Sequence, residues 1–120
     1  MMNVAIPRDD AVVAEQLRTA PTPLALLRQT AAARPEHPAV VYLRSGNDPA
    51  PVVITYAQLL AELEQAARAF HAAGVKETDS ITILLPMVPQ AISSLIAAMS
   101  VGVAFPMNLL LSPAAMAPQL

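Results

Sequence analysis

The sequence contains no cysteine, only three glycines, and no charged residue after Asp79. Without thiols there is no disulfide, no thiol nucleophile and no Cys-ligated zinc, which fits a reducing compartment. The glycines Gly46, Gly74 and Gly102 each stand alone. No loop can therefore offer the several adjacent backbone N–H groups that cradle a phosphate. The only lysine, Lys76, precedes Glu77 and is not the lysine of a phosphate loop, and no serine sits in a G-x-S-x-G elbow. Seven basic and nine acidic residues give a net charge of -2. The basic ones are scattered singly, so nucleic acid is not an expected partner.

What is present is apolar. The 120 residues are 55% hydrophobic and 13% charged, a composition for one modest globular domain rather than a disordered chain. The N-terminal MMNVAIPRDD has no apolar core for a signal peptide, and Asp9 and Asp10 argue against a transit peptide. A cytoplasmic location is expected.

Residues 1–21 read as a leader with a short helix around Asp10 to Thr19, and residues 22–120 as the structured part. Thr22 offers an N-cap with Pro23 at the first helical position, Leu24, Leu27 and Ala31 recur at helical spacing, and Pro35 closes that helix. AVVYL and VVI then predict a hairpin with RSGNDPAP at its tip. In ITYAQL, Thr55 and Gln58 have the spacing of a capping box, and Ile54 and Leu59 that of a hydrophobic staple. A helix from Tyr56 to Ala73 follows, with Tyr56, Leu60, Leu63, Ala67 and Phe70 on one stripe and Gly74 as its left-handed stop.

The run SITILL shows little alternation and predicts a strand buried on both faces, as in a parallel sheet. In LLPMVPQA, Pro86 stops that strand and Pro89 starts a helix with Ile92, Leu95, Ile96 and Met99 as its apolar face. Gly102 ends the helix and VAFP returns as a strand, which completes a βαβ crossover. The fold class is α/β.

No catalytic, cofactor-binding or metal-ligating residue emerges. His37 and His71 lie far apart in sequence without an acidic partner at ligand spacing, and read as surface or helix-end histidines. Glu62 and Glu64 point to different sides of one helix and read as a solvated face.

The order of these signals resembles a family. T-P-L-x-L-L-x-x-x-A-x-x-x-P-x-x-P-A-V, from Thr22 to Val40, is similar to the opening of AMP-forming acyl-CoA synthetases. ITYAQLLAELEQAARAFHAAGVKETDSITILLP and GVAFPMNLLLSP resemble the two blocks that follow there. Thr78, Met87, Gln90 and Leu109 depart from the usual Gly, Asn, Glu and Pro of those blocks. The resemblance implies the N-terminal part of a large adenylating domain. It implies ATP-dependent activation of a carboxylic (fatty) acid to an acyl-adenylate, then transfer to coenzyme A, with ATP, magnesium and coenzyme A as the family's cofactors. The family's phosphate loop, acidic ATP motif and catalytic lysine have no counterparts in these 120 residues. An incomplete N-terminal piece that does not catalyse on its own is the expectation.

Two other classes compete. A C-terminal membrane anchor has a charge-free window from Ala91 to Leu111, but Pro106 limits its helix to about 17 residues, short of a hydrocarbon core. An independent interaction module would instead bind a partner through an open sheet edge or apolar face. On the resemblance, the charge-free third records burial under other parts of the domain, so its uncovered apolar surface is expected to promote self-association.

Overall fold

The computed structural model describes residues 10–20 and 22–120. Residues 1–9 of the expected leader lie outside them, while its helix is present as α1 (Asp10–Thr19). Then come α2 (Pro23–Ala33), β1 (Pro38–Tyr42), β2 (Val52–Thr55), α3 (Tyr56–Ala72), β3 (Ser80–Ile83), α4 (Pro89–Val101), β4 (Val103–Pro106) and α5 (Pro113–Met116). A short 3-10 turn, Ala117–Gln119, closes the chain. The class is α/β, as the sequence predicts.

Local chemistry sets the element ends. Thr22 caps α2 by accepting the Ala25 N–H at 3.1 Å. At the start of α3, Thr55 Oγ1 accepts the Gln58 N–H at 3.2 Å, and Gln58 Oε1 accepts the Thr55 N–H at 2.9 Å. Both halves of the capping box are made, and the staple residues Ile54 and Leu59 are buried beside it. At the other end Gly74 takes φ +86°. The Val75 N–H reaches Phe70 O at 3.1 Å and the Gly74 N–H reaches His71 O at 3.0 Å, a Schellman closure.

The strands form two separate pairs. β1 and β2 are the expected antiparallel hairpin, with Val40 opposite Ile54 and Tyr42 opposite Val52. β3 and β4 run parallel, with Ile81 opposite Ala104 and Ile83 opposite Pro106, and α4 connects them. In one respect the reading of SITILL is corrected. The strand stops at Ile83, and it is not buried on both faces: Ile83 is buried and Ile81 half-buried, but Ser80 and Thr82 are exposed. No layer in the described residues covers the second face.

Helix α4 requires a second correction. Its buried residues are Pro89, Ser93, Ala97 and Ala98, whereas the predicted apolar face leaves Ile92 and Met99 exposed. Small side chains let α4 approach α3, α2 and the β3–β4 pair closely, while Leu95 and Ile96 of the predicted stripe are half-buried. The buried Ser93 hydroxyl donates to Gln90 O at 3.2 Å, so no polar group is stranded. At 13 residues, α4 is shorter than the sequence allowed, and no described helix is long and apolar enough to cross a membrane.

Gly102 is fixed by space rather than by backbone angle, since its φ of -153° is open to any residue. A Cβ there would stand 2.7 Å from Asp79 O and 3.0 Å from Lys76 O, both backbone atoms. Asp79 O also accepts the Val103 N–H at 2.8 Å, the bond that starts the parallel pair. Gly102→Ala must therefore push the turn away from α4. We expect a loss of about 1–3 kcal/mol, the usual magnitude for overpacking, read as a lower denaturation midpoint.

Candidate functional site

The residues that could carry chemistry are placed apart. Lys76 and Asp79 form a local turn, in which the Lys76 N–H donates to Asp79 Oδ2 at 2.7 Å and the Asp79 N–H to Lys76 O at 2.9 Å. His37 lies at the start of the hairpin and stacks on Tyr56 with ring centroids 6.2 Å apart. His71 sits in the last turn of α3. Among the described residues no group of three His, Asp or Glu side chains could hold a metal. Gly46, Gly74 and Gly102 fall in the hairpin tip, the end of α3 and the end of α4 respectively, so they do not combine into a phosphate cradle.

The reading of Glu62 and Glu64 needs refinement. Glu62 is exposed, but Glu64 is half-buried and accepts a hydrogen bond from Arg28 Nε at 3.0 Å, tying α3 to α2. The pair borders an open groove of about 410 Å³ with Leu24, Arg68, His71 and Val101 around it. At this exposure the ion pair is worth up to about 1 kcal/mol. It is a packing contact, and among the described residues lining the groove there is no second carboxylate to make an acid–base pair.

The most heavily bonded polar group lies elsewhere, in the hairpin tip. The Asp48 side chain is 2% exposed. Its Oδ2 accepts the Arg44 N–H at 2.9 Å and Arg44 Nε at 2.8 Å, while Oδ1 accepts Arg44 Nη2 at 2.8 Å and the Ala50 N–H at 3.0 Å. Arg44 Nη2 also donates to Ala50 O at 2.8 Å. The sequence marked this segment only as turn formers. The missed signal was an arginine followed four residues later by an aspartate that precedes proline, where a carboxylate can bond the next backbone N–H groups.

Those bonds, above all the one from the Arg44 guanidinium, hold the Asp48 carboxyl well below the usual carboxylate range. A lowered folded pKa means that the ionised loop is stabilised above the ordinary value of about 3.9, and that this stability is lost as pH falls below it. We expect the Ala50 amide to lose protection only in strong acid. Asp48→Asn should remove that acid step and weaken protection at neutral pH. An Ala50 amide whose protection falls at the ordinary carboxylate pKa would contradict this.

Comparison with known proteins supplies what the side chains do not. Residues 27–120 match the sequence model of the AMP-binding enzyme family. Over 69 residues the chain is 39% identical to acetyl-coenzyme A synthetase 1 of Candida albicans, covering 57% of this chain and 10% of that protein. Acetyl-coenzyme A synthetase 2 of Saccharomyces cerevisiae is 33% identical over 70 residues, covering 58% and 10%. Among solved structures, a Mycobacterium tuberculosis fatty acyl CoA synthetase superposes with a TM-score of 0.60 at 30% identity, over 72% of this chain and 16% of that one. The separately crystallised N-terminal domain of FACL13, from the same organism, gives 0.61 at 30% identity, over 78% and 21%. The chain thus spans about a tenth of the length of the curated relatives it matches.

Proposed function

The chain belongs to the AMP-binding enzyme family, and on that premise we propose that it serves as a scaffold segment of an AMP-forming acyl-CoA synthetase. The whole enzyme would join a carboxylic acid to AMP at the expense of ATP, release pyrophosphate, and pass the acyl group to coenzyme A. The observation that carries this reading is the family match over residues 27–120, in register with the capped helix and the βαβ unit. Likeness to both acetyl- and fatty acyl-CoA synthetases supports a carboxylic acid substrate, from acetate to a fatty acid.

On this reading ATP, magnesium and coenzyme A are held by other parts of the enzyme. These 120 residues orient no phosphate and supply no catalytic lysine; they hold α3 and the β3–β4 pair.

The test is ATP–pyrophosphate exchange by the purified chain, with acetate and a series of fatty acids. No exchange above a mock purification is expected. Exchange that rises in proportion to the chain would overturn the scaffold assignment.

A further inference from the structure

The open groove beside the Arg28–Glu64 pair is bordered by two basic side chains that nothing in the fold engages. Glu64, Arg68 and His71 stand at i, i+4 and i+7 along α3, so they share one face of that helix. Glu64 followed by Arg68 is the favoured order for an ion pair within a helix. Glu64 is instead taken by Arg28 of α2, at 3.0 Å. Among the described residues no hydrogen bond or ion pair reaches the Arg68 guanidinium or the His71 ring. In a chain of net charge -2, Arg28 and Arg68 against Glu64 leave this groove one positive charge, before any proton on His71.

The rest of the lining is apolar, with Leu24 of α2, Ala67 and Ala72 of α3, and Val101 at the end of α4. The groove's volume of about 410 Å³ lies in the range of small-molecule sites, about 300–1,000 Å³. We infer that this groove binds a small monocarboxylate with an apolar body, its head held by Arg68 and His71. The chemistry selects that occupant. A guanidinium presents parallel N–H donors that match both oxygens of a carboxylate, and an imidazole N–H one turn along adds another. Leu24, Ala67 and Val101 offer no polar group, so the body of the ligand is hydrocarbon. The inference stands on the groove alone and does not need the family assignment.

Other occupants meet physical obstacles. A polyphosphate carries several negative charges, and one uncompensated guanidinium answers only one of them. A cation would have Glu64 alone, which Arg28 already neutralises. An extended peptide would need an open strand edge, and no strand borders the groove.

The experiment is equilibrium dialysis of the full chain against radiolabelled octanoate, with 1-octanol as the neutral probe of the same length. A saturable component of one octanoate per chain is expected, weakened by added salt because the head contact is exposed to solvent. No saturable component is expected with 1-octanol. Arg68→Gln should weaken octanoate about tenfold, the scale of one charge-assisted contact. Arg68→Lys, which keeps the charge and loses the fork, should weaken it less. Arg68 is exposed, so the helical signal should not change in either variant. Glu64→Gln releases Arg28 as a second free guanidinium and should tighten octanoate severalfold.

Octanoate uptake that never saturates, or 1-octanol that saturates alike, would overturn the proposal, because either describes the exposed apolar surface of the chain rather than this groove. So would equal affinities for octanoate in the parent chain and Arg68→Gln, or a Glu64→Gln variant that binds it no better. Tighter binding of octyl phosphate or inorganic pyrophosphate than of octanoate would likewise overturn it, by showing a phosphate site in place of a carboxylate site.

Discussion

Expressed by itself, the chain is expected to run as oligomers on gel filtration and to bind a hydrophobic dye strongly. Between Ile81 and Leu111 there are 17 Val, Ile, Leu, Met and Phe side chains. Eight of them, including Leu84, Leu85, Met87, Ile92 and Leu110, are exposed. Full burial of such a side chain contributes roughly 2 kcal/mol, and about half of each is uncovered, so the burial not realised is on the order of 8 kcal/mol. A whole domain has a net stability of only about 5–15 kcal/mol. The deficit is thus as large as the stability that would hold a finished domain together. A monomer at all concentrations with little dye binding would contradict the expectation.

The second large effect is expected at Leu63. It is the largest fully buried side chain among the described residues, at 0% exposure, on a helix that packs against both α2 and α4. Leu63→Ala removes that contact and leaves a cavity, which typically costs about 2–5 kcal/mol. In a chain already short of burial, that loss should unfold the α2–α3–α4 assembly. The circular dichroism signal should fall and the denaturation midpoint should vanish or move far down. Met99→Ala is the control, because a side chain 49% exposed has little burial to lose. Equal effects at Leu63 and Met99 would show that the core lies elsewhere.

What the sequence made legible follows from how local each signal is. The capping box at Thr55, the stop at Gly74 and the helix start at Pro89 each depend on residues within one turn of each other. All three appear where predicted. Ser112-Pro113 starts α5 by the same logic as Thr22-Pro23, with Ser112 Oγ accepting the Ala115 N–H at 3.3 Å; the sequence carried that signal too.

Tertiary choices were not legible in this way. Periodicity identified the bulky stripe of α4 and assigned it inward, but only Leu95 and Ile96 are half-buried, and Ile92 and Met99 stay exposed. The small-residue side supplies the buried contacts. SITILL, composed like a doubly covered strand, has one covered face, because no layer among the described residues lies on the other. The Arg28–Glu64 pair joins residues 36 apart, which no local pattern foretells. No catalytic site was read from the sequence, and the candidate residues it did raise remain dispersed.

The central claim is that the chain from Ser80 onward is an unfinished layer resting on a self-capped helix. Amide hydrogen exchange on the soluble monomer tests it most directly. The account predicts strong protection from Leu59 to Phe70, inside α3. It predicts fast exchange along β3 and β4 and at the Met107 amide just beyond β4, which reaches Ile83 O at 3.0 Å. Uniform protection of both regions, lost together in one cooperative transition, would contradict it.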